Sequence, residues 1–158
     1  MKIISHRGNL KGKITERENS PSYIDEAISC GYDVEVDVWS IDKKYYLGHD
    51  APQHEVTADW LLKRPLWCHA KNQSALEQLL IEKITCFWHE SDAYTTVSNG
   101  YLWCFPGNFS KIGITVNLEE HIDIPLKPCY GICTDFPDRL KEKILSFDSK
   151  TTQRLVEL

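Results

Sequence analysis

Residues 32–50 read YDVEVDVWSIDKKYYLGHD. A strand turns successive side chains to opposite faces, so Val34, Val36 and Val38 share one side while Glu35 and Asp37 share the other. Side chains two apart stand only about 6.6 Å from each other along the strand. An E-x-D pair on a strand is ordinarily a solvated face, but the flanking valines and Trp39 make simple exposure a poor account here. A charged turn at Asp42, Lys43 and Lys44 follows, then a short arm, YYL, leading to His49 and Asp50. The unit predicts an apolar strand with two carboxylates on one face and a hairpin that folds a histidine back over its end.

Outward from that strand, strand and helix patterns alternate. MKIIS is a short strand running directly into His6-Arg7-Gly8, and a polar loop then reaches residue 20. Ser20-Pro21 offers an N-cap and a first-turn proline for a helix over SYIDEAISCG, with Ile24, Ala27 and Ile28 as its apolar stripe. Beyond Ala51-Pro52 the pattern predicts a helix over 58–63 and a strand in PLWCHAK. A helix in SALEQLLIEK comes next, with Leu76, Leu79 and Leu80 on one face and Ser74 as its cap. Strands ITCFWHE, YLWCFPG and KIGITVNL follow, with a helix expected over 92–98. EEHIDIPLKP has no assignable period. PCYGICTDFPDRLKEKILSF is a strand, a loop and a helix from near Pro137, and the polar tail from Asp148 is expected to fray.

Such alternation gives βα units around a parallel sheet. Eight units usually take about 250 residues, and this chain has 158. The expected fold class is α/β, a TIM-barrel-like sheet that is trimmed or incomplete, in one domain over 1–158. An open α/β sheet is the alternative.

The net charge of −5, from 18 basic and 23 acidic residues, argues against a protein that grips nucleic acid or an anionic membrane. It leaves room for a small phosphorylated substrate met by a local basic cluster. No segment approaches transmembrane length, and MKIISHRGNL lacks the apolar run of a signal peptide, so a cytoplasmic location is expected. The six cysteines form no C-x-x-C pair, and five lie in or beside apolar runs. They are read as reduced thiols, most of them packing in the core as small hydrophobes. Oligomeric state is not legible.

In an α/β sheet of this kind chemistry gathers at the carboxyl ends of the strands. His6 and Arg7 end the first strand, Glu35 and Asp37 lie in the second, and His69 and Lys71 share a face of the third. Each has a plain structural reading: a capped turn, a solvated face, a satisfied core histidine, the start of a loop. Their coincidence at successive strand ends is what points to chemistry, and the logic is that of phosphate-ester hydrolysis. Two carboxylates hold a hard divalent cation that binds phosphate oxygens. Arg7 presents a planar fork to a phosphoryl group, two histidines serve as general base and general acid, and Lys71 adds positive charge.

The same residues carry a resemblance. The chain is similar to the glycerophosphodiester phosphodiesterase family, whose pattern is a strand followed by His-Arg-Gly, a Glu-Asn-Thr/Ser loop, a Glu-x-Asp strand, a hairpin ending in His-Asp, and a late Thr-Asp-x-Pro turn. Here these are His6-Arg7-Gly8, Glu18-Asn19-Ser20, Glu35-Val36-Asp37, His49-Asp50 and Thr134-Asp135-Phe136-Pro137. Most of the signal lies in the first 50 residues. The resemblance implies a TIM barrel that hydrolyses diesters of glycerol phosphate with a small alcohol or a lipid. It implies His6 and His49 as the acid–base pair, Arg7 on phosphate, Glu18 in support, and Glu35 and Asp37 on a metal that is usually calcium or magnesium.

Two departures stand out. The family's third ligand, a Glu two residues before a Lys, is replaced by His69 before Lys71. Imidazole is a softer ligand than carboxylate, so Mg²⁺ or Mn²⁺ is expected over Ca²⁺. The chain is also shorter than its relatives, with no insert after His-Asp and little helix between the strands of 101–117. His89 and Glu90 end the fourth strand and are candidates to repair the altered ligand set. A phospholipase C- or D-like branch of the same superfamily is one alternative activity. A degenerate barrel that binds a phosphorylated ligand without turnover is the other.

Overall fold

The computed structural model describes residues 1–123 and 127–156, with side chains described through residue 147. All its strands belong to one curled sheet. The parallel portion comprises β1 (Lys2–His6), β2 (Asp33–Ile41), β5 (Leu66–Ala70), β6 (Cys86–Phe87), β8 (Leu102–Cys104), β9 (Gly113–Val116) and β10 (Gly131–Thr134). Its spatial order is β6-β5-β2-β1-β10-β9-β8. Around it lie β3 (Lys44–Leu47) and β4 (His54–Val56), which extend β2 antiparallel, β7 (Tyr94–Thr96), and helices α1 (Pro21–Ser29), α2 (Ala58–Leu62), α3 (Gln73–Ile81) and α4 (Pro137–Val156). The fold is α/β, an incomplete barrel.

Strand alternation explains the two sides of the sheet. Val34, Val36 and Val38 turn outward into a core shared with Ile24 and Ala27 of α1 and Ala75 and Leu79 of α3. The other face lines the inside of the curl, where Ile4, Trp67, Phe87, Trp103, Ile114 and Cys133 form a floor. The next inward residues along those strands are His6, His69 and Asp135, with Glu35 and Asp37 on β2. The floor excludes water beneath them, and the register fixes their neighbours: His6 lies opposite Glu35, and Asp37 opposite His69.

The sheet stays open because β6 and β8 do not pair. β7 fills that gap, antiparallel to β8, with Ser98 N–H donating to the Cys86 carbonyl and the Thr95 hydroxyl to the Trp88 carbonyl. The helix expected over 92–98 is therefore a strand. Tyr94, Thr95, Thr96 and Val97 are β-formers, and the open edge supplies a partner. No helix lies between β6 and β10 among the described residues, which is where the barrel is trimmed. Two smaller expectations also change. α3 is capped by Asn72, whose Oδ1 accepts from Ala75 N–H, and not by Ser74. Its buried residues are Ala75 and Leu79, while Leu80 faces outward. His54 to Val56, given no element from the sequence, adds a short strand, and α4 runs on to Val156 through the polar tail. Part of EEHIDIPLKP, residues 124–126, lies outside the described residues. All six cysteines are unpaired. Cys68, Cys86, Cys104 and Cys133 are buried, while Cys30 is exposed.

The hairpin after β2 positions His49. Asp42 and Lys43 both take positive φ, as a two-residue turn matched to strand twist requires. The arm returns with Val38 opposite Leu47, and the Trp39 indole N–H donates to the Gly48 carbonyl at 2.6 Å. Gly48 has φ +147°, and a Cβ there would run into the Ala51 carbonyl oxygen. Gly48→Ala is expected to cost about 1–3 kcal/mol in denaturant unfolding and to displace His49. Wild-type stability in this variant would show that the loop is not held as described.

Candidate functional site

Two residues with unusual backbone bracket the site. Arg7 (φ 54°) and Asn19 (φ 60°) are both left-handed, a conformation uncommon outside glycine. Arg7 N–H donates to the Glu35 carbonyl, and Asn19 N–H to the Arg7 carbonyl, so the first strand's end is tied to β2 and to the 18–20 loop. Asn19 then clamps Asp37 from both sides: its Nδ2 donates to Asp37 Oδ2 at 2.9 Å and its Oδ1 accepts from Asp37 N–H at 3.0 Å.

Around Asp37, which is fully buried, basic side chains converge. Arg7 Nε is 2.9 Å from Oδ2, and His69 Nδ1 and Lys71 Nζ are 3.3 and 3.6 Å from Oδ1. Burial opposes its ionisation, but the His69 ring when protonated, the Arg7 guanidinium and the Asn19 amide outweigh it and hold Asp37 far below the usual carboxylate range. Glu35, equally buried, goes the other way: burial first and the Asp37 charge second push it up.

His69 carries the most telling geometry. Its Nε2 lies 2.8 Å from the His89 carbonyl oxygen, which can only accept, so Nε2 bears a proton. In the neutral ring Nδ1 is then a bare lone pair, and it faces Asp37 Oδ1 and, at 4.0 Å, Glu35 Oε1. Asp37 Oδ1 and Glu35 Oε2 are buried without a hydrogen-bond donor. Two lone-pair atoms 3.3 Å apart, Asp37 Oδ1 and His69 Nδ1, with the buried Glu35 carboxylate beside them, are unfavourable unless a proton or a cation lies among them. Glu35, Asp37 and His69 offer ligand atoms all within 4.8 Å of one another. Four carboxylates, Glu18, Glu35, Asp37 and Asp135, gather with two permanent cations, Arg7 and Lys71. A divalent cation would bring that set to neutrality. The donor set fits such an ion.

A second cluster, His6, Glu18 and Asp135, shares the wall. It is internally satisfied: His6 Nδ1 lies 2.7 Å from Asp135 Oδ1, and Asn9 Nδ2 donates to Asp135 Oδ1 and Glu18 Oε1 at 2.8 and 2.7 Å. Glu18 Oε2 also meets Arg7 at 3.4 Å. Asp135 fixes the proton on His6 Nδ1 and leaves Nε2 toward Glu35 Oε2, at 3.8 Å. Burial favours the neutral ring, but the Asp135 bond and the Glu35 charge outweigh it and raise His6 above the ordinary histidine range. In metal-free protein, Asp135→Asn is therefore expected to lower the His6 midpoint in a proton NMR titration. The raised midpoint stabilises the fold fully below about pH 6.5, and this contribution is lost as pH rises through the folded value. An unmoved midpoint in Asp135→Asn would remove Asp135 as the cause.

The residues singled out from sequence converge on one cavity of about 410 Å³, bordered by His6, Arg7, Glu35, His49, His69 and Lys71. His49 stands at its rim, half-exposed, with Nδ1 2.6 Å from Asp50 Oδ1. Glu18 and Asp37 do not border this cavity, and both pair with Arg7. His89 and Glu90 also border the cavity but stand outside the carboxylate–imidazole cluster, and His89 acts on it through its carbonyl. Sequence reading assigned no role to Asn9 and Asn19 and took Asp135 only as part of a motif. Asn19 and Asp135 sat inside quoted motifs, and Asn9 three residues past His6; a search for amides beside carboxylates at strand ends would have raised all three. Comparison of this chain with protein-family models, curated proteins and solved structures found no match.

Proposed function

We propose that the protein is a metal-dependent phosphodiester hydrolase acting on a glycerophosphodiester or a related small polyol phosphodiester. The observation that carries this reading is the cluster of Glu35, Asp37 and His69, with Asp37 Oδ1 and Glu35 Oε2 buried and without a donor, beside the cavity that His6, Arg7, Glu35, His49 and His69 border. Glu35, Asp37 and His69 would hold a divalent ion, which would supply Lewis acidity at the phosphoryl group, and the mixed oxygen–nitrogen set suits Mn²⁺ or Mg²⁺ better than Ca²⁺. Arg7 is anchored on Asp37 and Glu18 and aims positive charge at the same oxygens, with Lys71 beside it.

The histidines divide the proton work. His49 has Nδ1 committed to Asp50, so Nε2 is free to take a proton from the attacking oxygen, whether a neighbouring hydroxyl of the substrate or a water. The new P–O bond forms as the bond to the leaving alcohol breaks, and His6 Nε2 gives that alcohol its proton. Where the substrate hydroxyl attacked, water then opens the cyclic diester, giving its proton to His6 while His49 returns one to the freed hydroxyl. The raised His6 midpoint suits an acid. The resemblance to glycerophosphodiester phosphodiesterases, read from the sequence motifs, narrows the substrate to a glycerol phosphodiester.

Mn²⁺-loaded protein is expected to turn over an aryl phosphodiester while leaving the matching monoester untouched, read by release of the phenol. A loaded chain inert toward a broad panel of phosphodiesters would leave only a binding role. The trimmed barrel, with no helix between β6 and β10 among the described residues, is the feature that favours that second reading.

A further inference from the structure

The cavity has two unlike arms. On the β8–β9 side its wall is apolar, formed by Trp103, Phe105, Pro106, Val116 and Leu118. Trp103 is buried, while Phe105 and Leu118 remain 42% and 38% exposed at the rim, large apolar side chains left facing an open cavity. On the other side Arg7 and His49 also border a second hollow of about 240 Å³, lined by Lys13, Thr15, Asp50 and Gln53. That hollow offers hydrogen-bonding and charged groups and no large apolar side chain. The two hollows therefore meet at Arg7 and His49.

We infer that the substrate is an amphiphilic phosphodiester, with its phosphoryl group at Arg7 and His49, a hydroxylated alcohol in the Thr15–Gln53 hollow and an apolar alkyl or aryl alcohol against Trp103, Phe105 and Leu118. This rests on the phosphodiesterase reading for the place of the phosphoryl group. Among the described residues no helix lies between β6 and β10, and this makes the apolar arm possible, because the rim there is built from the strand ends and loops of β8 and β9. Each methylene fully withdrawn from water is worth about fourfold in affinity, so even partial burial of a chain shows in binding. Polar alcohols gain nothing on that side and leave the wall wet.

The test is calorimetric affinity of Mn²⁺-loaded protein for glyceryl alkylphosphonates with methyl, butyl and octyl groups, whose P–C bond is not hydrolysed. The octyl compound is expected to bind at least about tenfold tighter than the methyl one. Phe105→Ser and Leu118→Ser, both at exposed positions, should each remove much of that increment and leave methyl affinity unchanged. Gln53→Ala or Thr15→Val should weaken all three compounds alike. Equal affinity for methyl and octyl, an increment that survives both rim substitutions, or no binding of any compound overturns the proposal. The increment without turnover of any phosphodiester would uphold the apolar arm and sink the hydrolytic reading, and turnover without the increment would do the reverse.

Discussion

His6→Ala and His49→Ala should each lower phosphodiester turnover by about 10²–10⁴-fold, the usual contribution of a positioned general acid or base. The two losses should differ in character. His6 is held by Asp135 and partly buried, so its loss leaves Asp135 Oδ1 with Asn9 as partner and costs some stability as well. His49 is half-exposed and its side chain pairs with the exposed Asp50, so His49→Ala should keep the wild-type fold. If His6 is the acid, its removal should hurt substrates with poor leaving groups most and be nearly silent on an activated aryl ester. His49→Ala should be equally damaging to both. Full activity in both variants would end the two-histidine assignment, and an unfolded His6→Ala would show a structural role for that ring.

Chelation is expected to abolish activity, and Mn²⁺ should restore it better than Ca²⁺. His69 is expected to set that preference, because its imidazole Nδ1 faces both carboxylates and nitrogen ligands favour Mn²⁺ over Ca²⁺. His69→Glu should move the preference back toward Mg²⁺ or Ca²⁺, and His69→Ala should weaken metal dependence without unfolding the chain. Metal-rescue rates for wild type and the two variants decide this. An identical order of metals in wild type and His69→Glu would take His69 out of the ligand set.

The V-E-V-D-V stretch let the fold be read because valines and carboxylates obey the period of a strand, and the structure sorts them to opposite faces of the sheet. His6, Arg7, His69 and Lys71 were legible for a related reason: strand ends in a parallel sheet share one rim, so residues far apart in sequence become neighbours. The strand at 94–96 was not legible. Its sequence lacks a clear period, and only the open β6–β8 edge gives it a partner, which is a tertiary fact. Ser74 lost the cap of α3 to Asn72 because Asn72 also bonds both backbone groups of Ser40 on β2, anchoring it where a helix must start. The amides Asn9 and Asn19 escaped notice because their work is to satisfy buried carboxylates, and burial of a carboxylate cannot be read from its identity. The proton placement on His69 depends on a carbonyl twenty residues away, His89, and that no local pattern announces.

The central claim is that Glu35, Asp37 and His69 hold one divalent cation, and calorimetric titration of Mn²⁺ into metal-free protein tests it most directly. One ion per chain should bind, with protons released as a ligand carboxyl or imidazole gives way to the metal. Asp37→Asn should abolish that isotherm, and Glu35→Gln should weaken it by at least about tenfold. Asp50→Asn, at the exposed rim, should leave it unchanged. No saturable Mn²⁺ binding in the wild type, or binding that is unaltered in Asp37→Asn, would contradict the account.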